Sequence, residues 1–256
     1  MNDTTRADGS ILTRSEGAVR VLTIDRPEKK NALTLAMYAS LAEQLSAADA
    51  DPAVRALLLT GTGDIFTAGN DLGDFLASPP AGEESPVMQL FFRLAELAKP
   101  LVVAVDGHAV GIGTTLLLHA DYVAASARAR FQLPFAALGV TPEAGSSLLL
   151  PLVVGLPRAT EWLLFGEPFD AAAAKDAGLV NAVVPAEELP AFALARARAI
   201  ADRPSGAVLA AKRLLREPMR AQVKDAIRRE GQVFQERVRS PEAVAAFRAF
   251  LAKRSR

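Results

Sequence analysis

The chain has 256 residues, half of them apolar, enough to bury one large core or a core with a small appendage. Lys plus Arg equals Asp plus Glu at 29 each, so no net field favours nucleic acid or an anionic membrane, and an anionic ligand has to be held by local features. The absence of cysteine excludes disulfides, thiolate catalysis and a Cys-based zinc site, and two histidines, His108 and His119, are too few for a His-rich metal centre. The first ten residues are polar, without the apolar stretch of a signal peptide. No apolar run approaches the ~20 residues that span a bilayer, and the terminal Lys-Arg-Ser-Arg is not a peroxisomal address. These features read as a cytoplasmic enzyme.

In chain order, Ile11–Thr13 and Val19–Asp25 are β-rich runs on either side of Glu16-Gly17 and predict a hairpin that Arg26-Pro27 ends. Thr34 caps a helical stretch in which Leu41 and Leu45 recur at four-residue spacing. Ala56–Thr60 is a short apolar run of the kind buried on both faces of a sheet. A glycine-punctuated loop from Gly61 to Asp71 follows, and Ser78 to Pro86, with three prolines and a glycine, reads as a mobile loop. Leu101–Val105 is a second buried strand, opening into Gly107, Gly111 and Gly113 and then a helix through Leu118. Tyr122–Ala125, Arg130–Leu133 and Leu179–Val184 predict further strands. Asp170 caps a helix over Ala171–Ala177, and Ser240-Pro241-Glu242 is a strong helix start. Alternating strands and helices give an α/β fold with much parallel pairing, turning mainly helical after Pro142.

Two segments suit a ligand. Ile65-Phe66-Thr67-Ala68-Gly69-Asn70-Asp71-Leu72 joins a strand end to a turn of small residues, which lets backbone N–H groups approach a ligand. It equally fits an ordinary strand-to-helix turn in which Asn70 or Asp71 caps the helix. The second segment, Lys99 to Gly113, is a buried strand that delivers a glycine turn to a helix N-terminus, a ready anion site. It is no dinucleotide fingerprint, because Leu116 stands where the third glycine belongs, and no Gly-Lys-Ser/Thr of a phosphate loop occurs anywhere.

The two segments together, in this order and spacing, resemble the enoyl-CoA hydratase/isomerase (crotonase) superfamily, over about Ile11 to Arg254. Arg26-Pro27 through Asn31-Ala32-Leu33 and Ala177-Gly178-Leu179-Val180 belong to the same resemblance. It implies a crotonase-like spiral of ββα units over residues 1–198 and a C-terminal helical trimerisation region over 199–256. It also implies an acyl-CoA thioester substrate, with coenzyme A part of that substrate and no separate cofactor or metal. Assembly as a homotrimer or hexamer is expected too, with Trp162, Leu163, Phe165, Phe234 and Phe247 as apolar positions for it. Neither nucleic acid nor membrane is an expected partner.

By the same resemblance, the N–H groups of Ala68 and Ile112 form an oxyanion hole around the thioester carbonyl, where each aimed donor is worth roughly 2.7–4 kcal/mol. Gly69, Leu72 and Gly111 line this place, with Asp71 and Asp74 beside it. The family's hydratases carry two glutamates in the site; here those positions fall on Thr115 and Phe135. Instead, Leu138 to Ser147, with Pro142-Glu143 inside it, is similar to the segment bearing the single glutamate of peroxisomal-type 3,2-enoyl-CoA isomerases. Glu143 is also an ordinary acid for a first helical turn, and a dipole-stabilised carboxylate would stay ionised, ready to act as a base. Lys29, Lys30, Ala32, Lys253 and Phe250 match the family's CoA-binding positions, although lysines of this kind are also common on a solvated surface.

The function this implies is conversion of a 3-enoyl-CoA into a trans-2-enoyl-CoA, in fatty-acid β-oxidation, with Glu143 moving the proton. The alternatives are an enoyl-CoA hydratase or another crotonase reaction using Glu143 or Asp74, and an acyl-CoA binder without catalysis. A Ser-His-Asp hydrolase is disfavoured, because Ser146 and Ser147 lack the strained elbow motif.

Overall fold

The computed structural model describes residues 9–77 and 82–254, and side chains as far as residue 249. The chain opens with the expected hairpin: β1 (Ser10–Glu16) and β2 (Val19–Asp25) pair antiparallel across Gly17, which takes the left-handed conformation the turn needs. Thr34 starts α1 (Leu35–Ala50), its hydroxyl accepting from Met37 N. Next come β3 (Ala56–Gly61), α2 (Leu72–Ala77), α3 (Pro86–Glu96), β4 (Leu101–Val105), β5 (His108–Val110), α4 (Ile112–Thr115), β6 (Tyr122–Ser126) and β7 (Arg130–Gln132). The second half adds α5 (Ser146–Val154), α6 (Leu156–Leu164), β8 (Phe169–Asp170), α7 (Ala171–Asp176), β9 (Ala182–Val184), α8 (Leu189–Ala201), α9 (Ser205–Val238) and α10 (Pro241–Arg254).

A six-stranded sheet has the order β1-β2-β3-β4-β6-β9, parallel from β2 onward, and a three-stranded sheet has the order β5-β7-β8. The period of two along a strand separates the two cores. Leu57, Leu59, Leu101, Val103 and Val105 face α1 and α3 in the main core, while Ala56, Leu58, Val102 and Ala104 face the alanine stripe Ala193, Ala197 and Ala201 of α8. Small residues on α8 let that helix lie close to the sheet.

β4 runs on into β5 and β6 into β7, so each unit gives one strand to each sheet before reaching a helix. The first unit does the same with a single residue, Thr67, which bridges Ala109 in parallel. Successive units therefore deliver the starts of α2, α4 and α5 to one region. This is the α/β spiral of ββα units with a C-terminal helical region that the sequence implied.

The differences from expectation have local causes. His108–Val110, inside the expected glycine turn, is a strand because it pairs with β7 on one side and Thr67 on the other. The helix after Gly113 is α4 followed by a tighter 3-10 turn over Leu116–His119. β9 is shorter than Leu179–Val184, since the amides of Leu179 and Val180 are drawn back to the carbonyl of Ala174. Of the segment from Ser78 to Pro86, residues 78–81 lie outside the described residues, while Ser85 caps α3 and Pro86 is its first residue. A boundary after residue 198 falls inside α8; the chain turns only beyond Ala201, at residues 202–204, before α9.

Candidate active site

The Arg26–Leu33 turn is pinned onto the loop before α2. Asn31 is fully buried, and its amide nitrogen donates to the carbonyls of Thr62 (2.9 Å) and Ile65 (2.7 Å) while its oxygen accepts from Arg26 N (2.9 Å). Thr67 Oγ1 donates to the Asn31 carbonyl at 2.6 Å and accepts from Gly69 N at 3.1 Å. Arg26 donates to the Ala32 carbonyl and forms a 2.6 Å ion pair with Asp71. These contacts give the Arg-Pro and Asn-Ala-Leu stretch its purpose: it is the floor under the ligand loop.

The same bonds correct one expected donor. Ala68 N–H points at the Lys30 carbonyl, 2.9 Å away, so it is not aimed at a ligand. Gly69 N–H is engaged with Thr67. The next amide, Asn70 N–H, has no acceptor among the described residues, and neither has Ile112 N–H at the start of α4. Asn70 and Ile112 stand equally far along from the Thr67–Ala109 bridge, which sets these two donors side by side. Two glycines permit the approach. A β-carbon on Gly69 would lie 2.9 Å from the Val110 carbonyl, and one on Gly113 would strike the Thr67 methyl at 2.6 Å. Asn70 and Ile112, rather than Ala68 and Ile112, are therefore the pair of free amides in this region.

Glu143 faces this place. It is 4% exposed, and a β-carbon on Gly111 would be only 3.9 Å from its Oε1. That oxygen has no partner among the described residues. Burial, and after it the carboxylate of Glu230, push the Glu143 pKa up to about 8, against the lowering effect of the Asn70 side chain. Tyr38, fully buried, donates its hydroxyl to Asn70 Oδ1, and its own pKa is raised by burial and by Glu143. Glu143 is thus not the dipole-stabilised acid of a first helical turn. α5 begins only at Ser146, after Ala144 and Gly145 in left-handed conformation, and the carboxyl projects into a pocket instead.

That pocket, about 360 Å³ of empty space counting its opening to solvent, is walled by Phe75 of α2, Val87, Met88 and Phe91 of α3, and Ile227, Gly231 and Phe234 of α9. Gly231 leaves the room that the Met88 side chain occupies, for a β-carbon there would meet its sulfur at 2.9 Å. The lining is apolar apart from Glu143, Glu230 and Gln235.

The remaining expected residues divide. Thr115 is buried with its hydroxyl unpartnered among the described residues, and Phe135 is buried. Gly111 donates its N–H to the Gln132 carbonyl and turns the chain with a φ of 56°. Leu72 is the half-buried first residue of α2. Ala32 is buried with its N–H and carbonyl both engaged, and Asp71 is spent on Arg26 and on the amides of Gly73 and Asp74, so both support the loop rather than face a ligand. Asp74 accepts from Leu35 N at 2.6 Å, beside the Thr34 cap of α1. Lys29 and Lys30 are exposed on the turn whose carbonyl holds Ala68. Phe250 and Lys253 lie outside the described side chains. His108 is exposed. Asn70, Tyr38, His119 and Glu230 were not singled out by sequence reasoning as site residues; Asn70 was legible only as a helix cap, and the others meet the site through space alone.

Two free amides, at Asn70 and Ile112, a carboxyl with an unpartnered oxygen beside them and a largely apolar pocket beyond make one candidate site. The family model for enoyl-CoA hydratase/isomerase matches residues 14–256, and the chain belongs to that family. It is 35% identical to human enoyl-CoA delta isomerase 2 over 254 residues, which cover 96% of this chain and 64% of the human protein, so it spans just under two thirds of that relative. It is 34% identical to the 2,3-dehydroadipyl-CoA hydratase of Escherichia coli (strain K12), over 96% of both chains. The structure of Pseudomonas aeruginosa OdaA superposes with a TM-score of 0.91 at 45% identity, covering 94% of this chain and 98% of that one.

Proposed function

We propose that the protein isomerises 3-enoyl-CoA to trans-2-enoyl-CoA. The thioester oxygen is held by the N–H groups of Asn70 and Ile112, which take up the charge as a dienolate forms. Glu143 removes a proton from the α-carbon and returns it to the γ-carbon on the same face. The observation that carries this reading is the position of Glu143, its unpartnered Oε1 close to Gly111 while Thr115 and Phe135 offer no second carboxyl. A pKa of about 8 suits the task, because a base that shuttles a proton works best with its pKa near the working pH. The relatives named as delta isomerases support the reading; the relative named as a hydratase makes water addition the competing outcome.

The deciding experiment is a side-by-side assay of a 3-enoyl-CoA and crotonyl-CoA. Faster isomerisation upholds the proposal, and faster hydration overturns it. The substrate is whole acyl-CoA, with Lys29 and Lys30 beside the phosphates and the acyl chain in the pocket between α2, α3 and α9.

The protein in this reading is cytoplasmic and a homotrimer or hexamer. No helix among the described residues is long and apolar enough to cross a membrane. For assembly, Trp162, Leu163, Phe234 and Phe247 are already buried within the chain, which leaves Phe165 with Leu152, Val153, Leu156 and Leu164 exposed on α5, α6 and the residue that ends α6. This apolar patch is the surface that self-association would cover, and light scattering at micromolar concentration tests it.

A further inference from the structure

Glu230 lies well inside α9 and is only 7% exposed. A carboxylate buried to this degree needs donors. It has two: Gly145 N at 2.6 Å from Oε2 and Ser147 N at 2.8 Å from Oε1. Both belong to the turn that delivers Glu143. Gly145 is the N-cap of α5 and has no side chain with which to cap it, so the free amides of this helix start are satisfied from another helix. On the other side of the turn, His119 Nε2 is 2.7 Å from the Ala144 carbonyl. Burial holds the His119 pKa down to about 4, so the neutral ring donates there. Ala144 itself has a φ of 59°, a left-handed conformation that a residue with a β-carbon keeps only when its surroundings impose it.

We infer that Glu230 is a positioning residue, which fixes the Ala144–Gly145 turn from α9 and so aims Glu143 at the anion hole. The inference rests on Glu143 being the base. The groups that act on Glu143 are Glu230 from α9 and Asn70 from the loop before α2, and Glu143 acts in turn on Tyr38 of α1. Burial raises the pKa of Glu230 itself, against the lowering effect of Ser147, Gly145 and, least, Arg229 on its own helix. Glu230 thus has two effects on its neighbour. It holds the backbone, and its like charge disfavours ionisation of Glu143. A helix cap with no bearing on the base would show only in stability.

The test is Glu230→Gln, whose amide accepts one N–H but turns its NH₂ toward the other. Folded Glu230→Gln is expected to bind a saturated acyl-CoA within about twofold of the parent and to lose roughly 10- to 10²-fold in turnover, the scale of loss that a misplacement of about 1 Å brings. The pH midpoint of turnover should move down, and Glu230→Asp, which keeps the charge, should restore the parent midpoint. A folded Gln variant with parent turnover and parent midpoint overturns the inference. Infrared difference spectra read the same point without turnover, through the protonated-carboxyl band that Glu143→Gln abolishes. If the parent fails to isomerise, the proposed reaction is wrong, yet a lower titration midpoint of this band in Glu230→Gln still upholds the clamp. An unchanged midpoint removes it.

Discussion

In the loop from Thr67 to Asp71 each polar side chain has a partner: Thr67 holds Asn31 and Gly69, Asn70 takes the Tyr38 hydroxyl, and Asp71 is paired with Arg26. The stretch from Thr141 to Ser146 is built the other way. Thr141 Oγ1, Glu143 Oε1 and Ser146 Oγ are buried without partners among the described residues, and Ala144 and Gly145 are both left-handed. Buried polar groups are ordinarily satisfied, so unsatisfied ones concentrated in one turn mark the place where stability yields to chemistry. The first loop leaves one backbone donor free, at Asn70; the second carries a carboxyl with an unpartnered oxygen that keeps its proton up to about pH 8.

The sharpest way to test that division is Glu143→Gln. The variant keeps the shape and an acceptor oxygen but has no base. Turnover on a 3-enoyl-CoA should fall by at least the ~10²–10⁴-fold typical of a general base, with acyl-CoA affinity nearly unchanged. Glu143→Asp should keep a little activity. In the parent, kcat/KM should rise with pH and level off above about 8, where the raised pKa lets Glu143 ionise. Normal turnover by the Gln variant would reduce Glu143 to a structural acid.

The same substitution should act on stability with the opposite sign. In the unfolded chain the carboxyl ionises near its ordinary 4.5, whereas the folded chain holds its proton up to about 8. Between these values the folded state binds more protons, so stability falls as pH rises through the window. Glu143→Gln removes that loss. Its gain over the parent should be absent below pH 4.5 and reach at most on the order of 5 kcal/mol above pH 8. Denaturant midpoints at pH 5 and pH 9 measure it; an equal gain at both would mean that packing, not ionisation, is responsible.

Asp71→Asn probes the satisfied loop. The amide oxygen still caps α2, but Arg26, 4% exposed at its side chain, gives up its 2.6 Å ion pair with Asp71 and keeps Glu28 at 3.9 Å. Because the Asp71 side chain is 23% exposed, the cost should be about 1–3 kcal/mol, below that of breaking a fully buried pair. The pH midpoint of turnover should stay where it is. A moved midpoint would show that the two loops are not separable.

Much of the first loop was legible in the sequence and little of the second. Strands such as Val19–Asp25 and Leu101–Val105, and caps such as Thr34 and Asp170, follow from neighbours within a few residues. Of the two expected donors, the Ile112 amide is free, whereas the Lys30 carbonyl, from a distant turn, takes the Ala68 amide and leaves that of Asn70 free instead. Glu143 was legible only through resemblance, and its ionisation was misread, since helix-start chemistry predicts a stabilised carboxylate whereas burial and Glu230 raise its pKa. Nothing local to α9 distinguishes Glu230 from the other charged residues of that helix.

The smallest effect belongs to the outer edge of the first loop. Lys29 and Lys30 are exposed, so in the proposed reaction each would hold CoA phosphates through solvent and be worth about 0.2–1 kcal/mol, as exposed pairs usually are. Lys30 has a left-handed φ of 55°, and its carbonyl holds the Ala68 amide. Alanine is the right replacement, because it retains a β-carbon and leaves the backbone preference much as it was, whereas glycine would relieve strain and confuse charge with conformation. Lys29→Ala with Lys30→Ala should raise KM by roughly two- to tenfold at low ionic strength, leave turnover within about twofold, and lose its effect as added salt screens the parent's lysines. The measurement is KM for one acyl-CoA substrate at two salt concentrations. A fall in turnover instead would mean that this turn shapes the anion hole through the Lys30 carbonyl, and an unchanged KM would place the phosphates elsewhere.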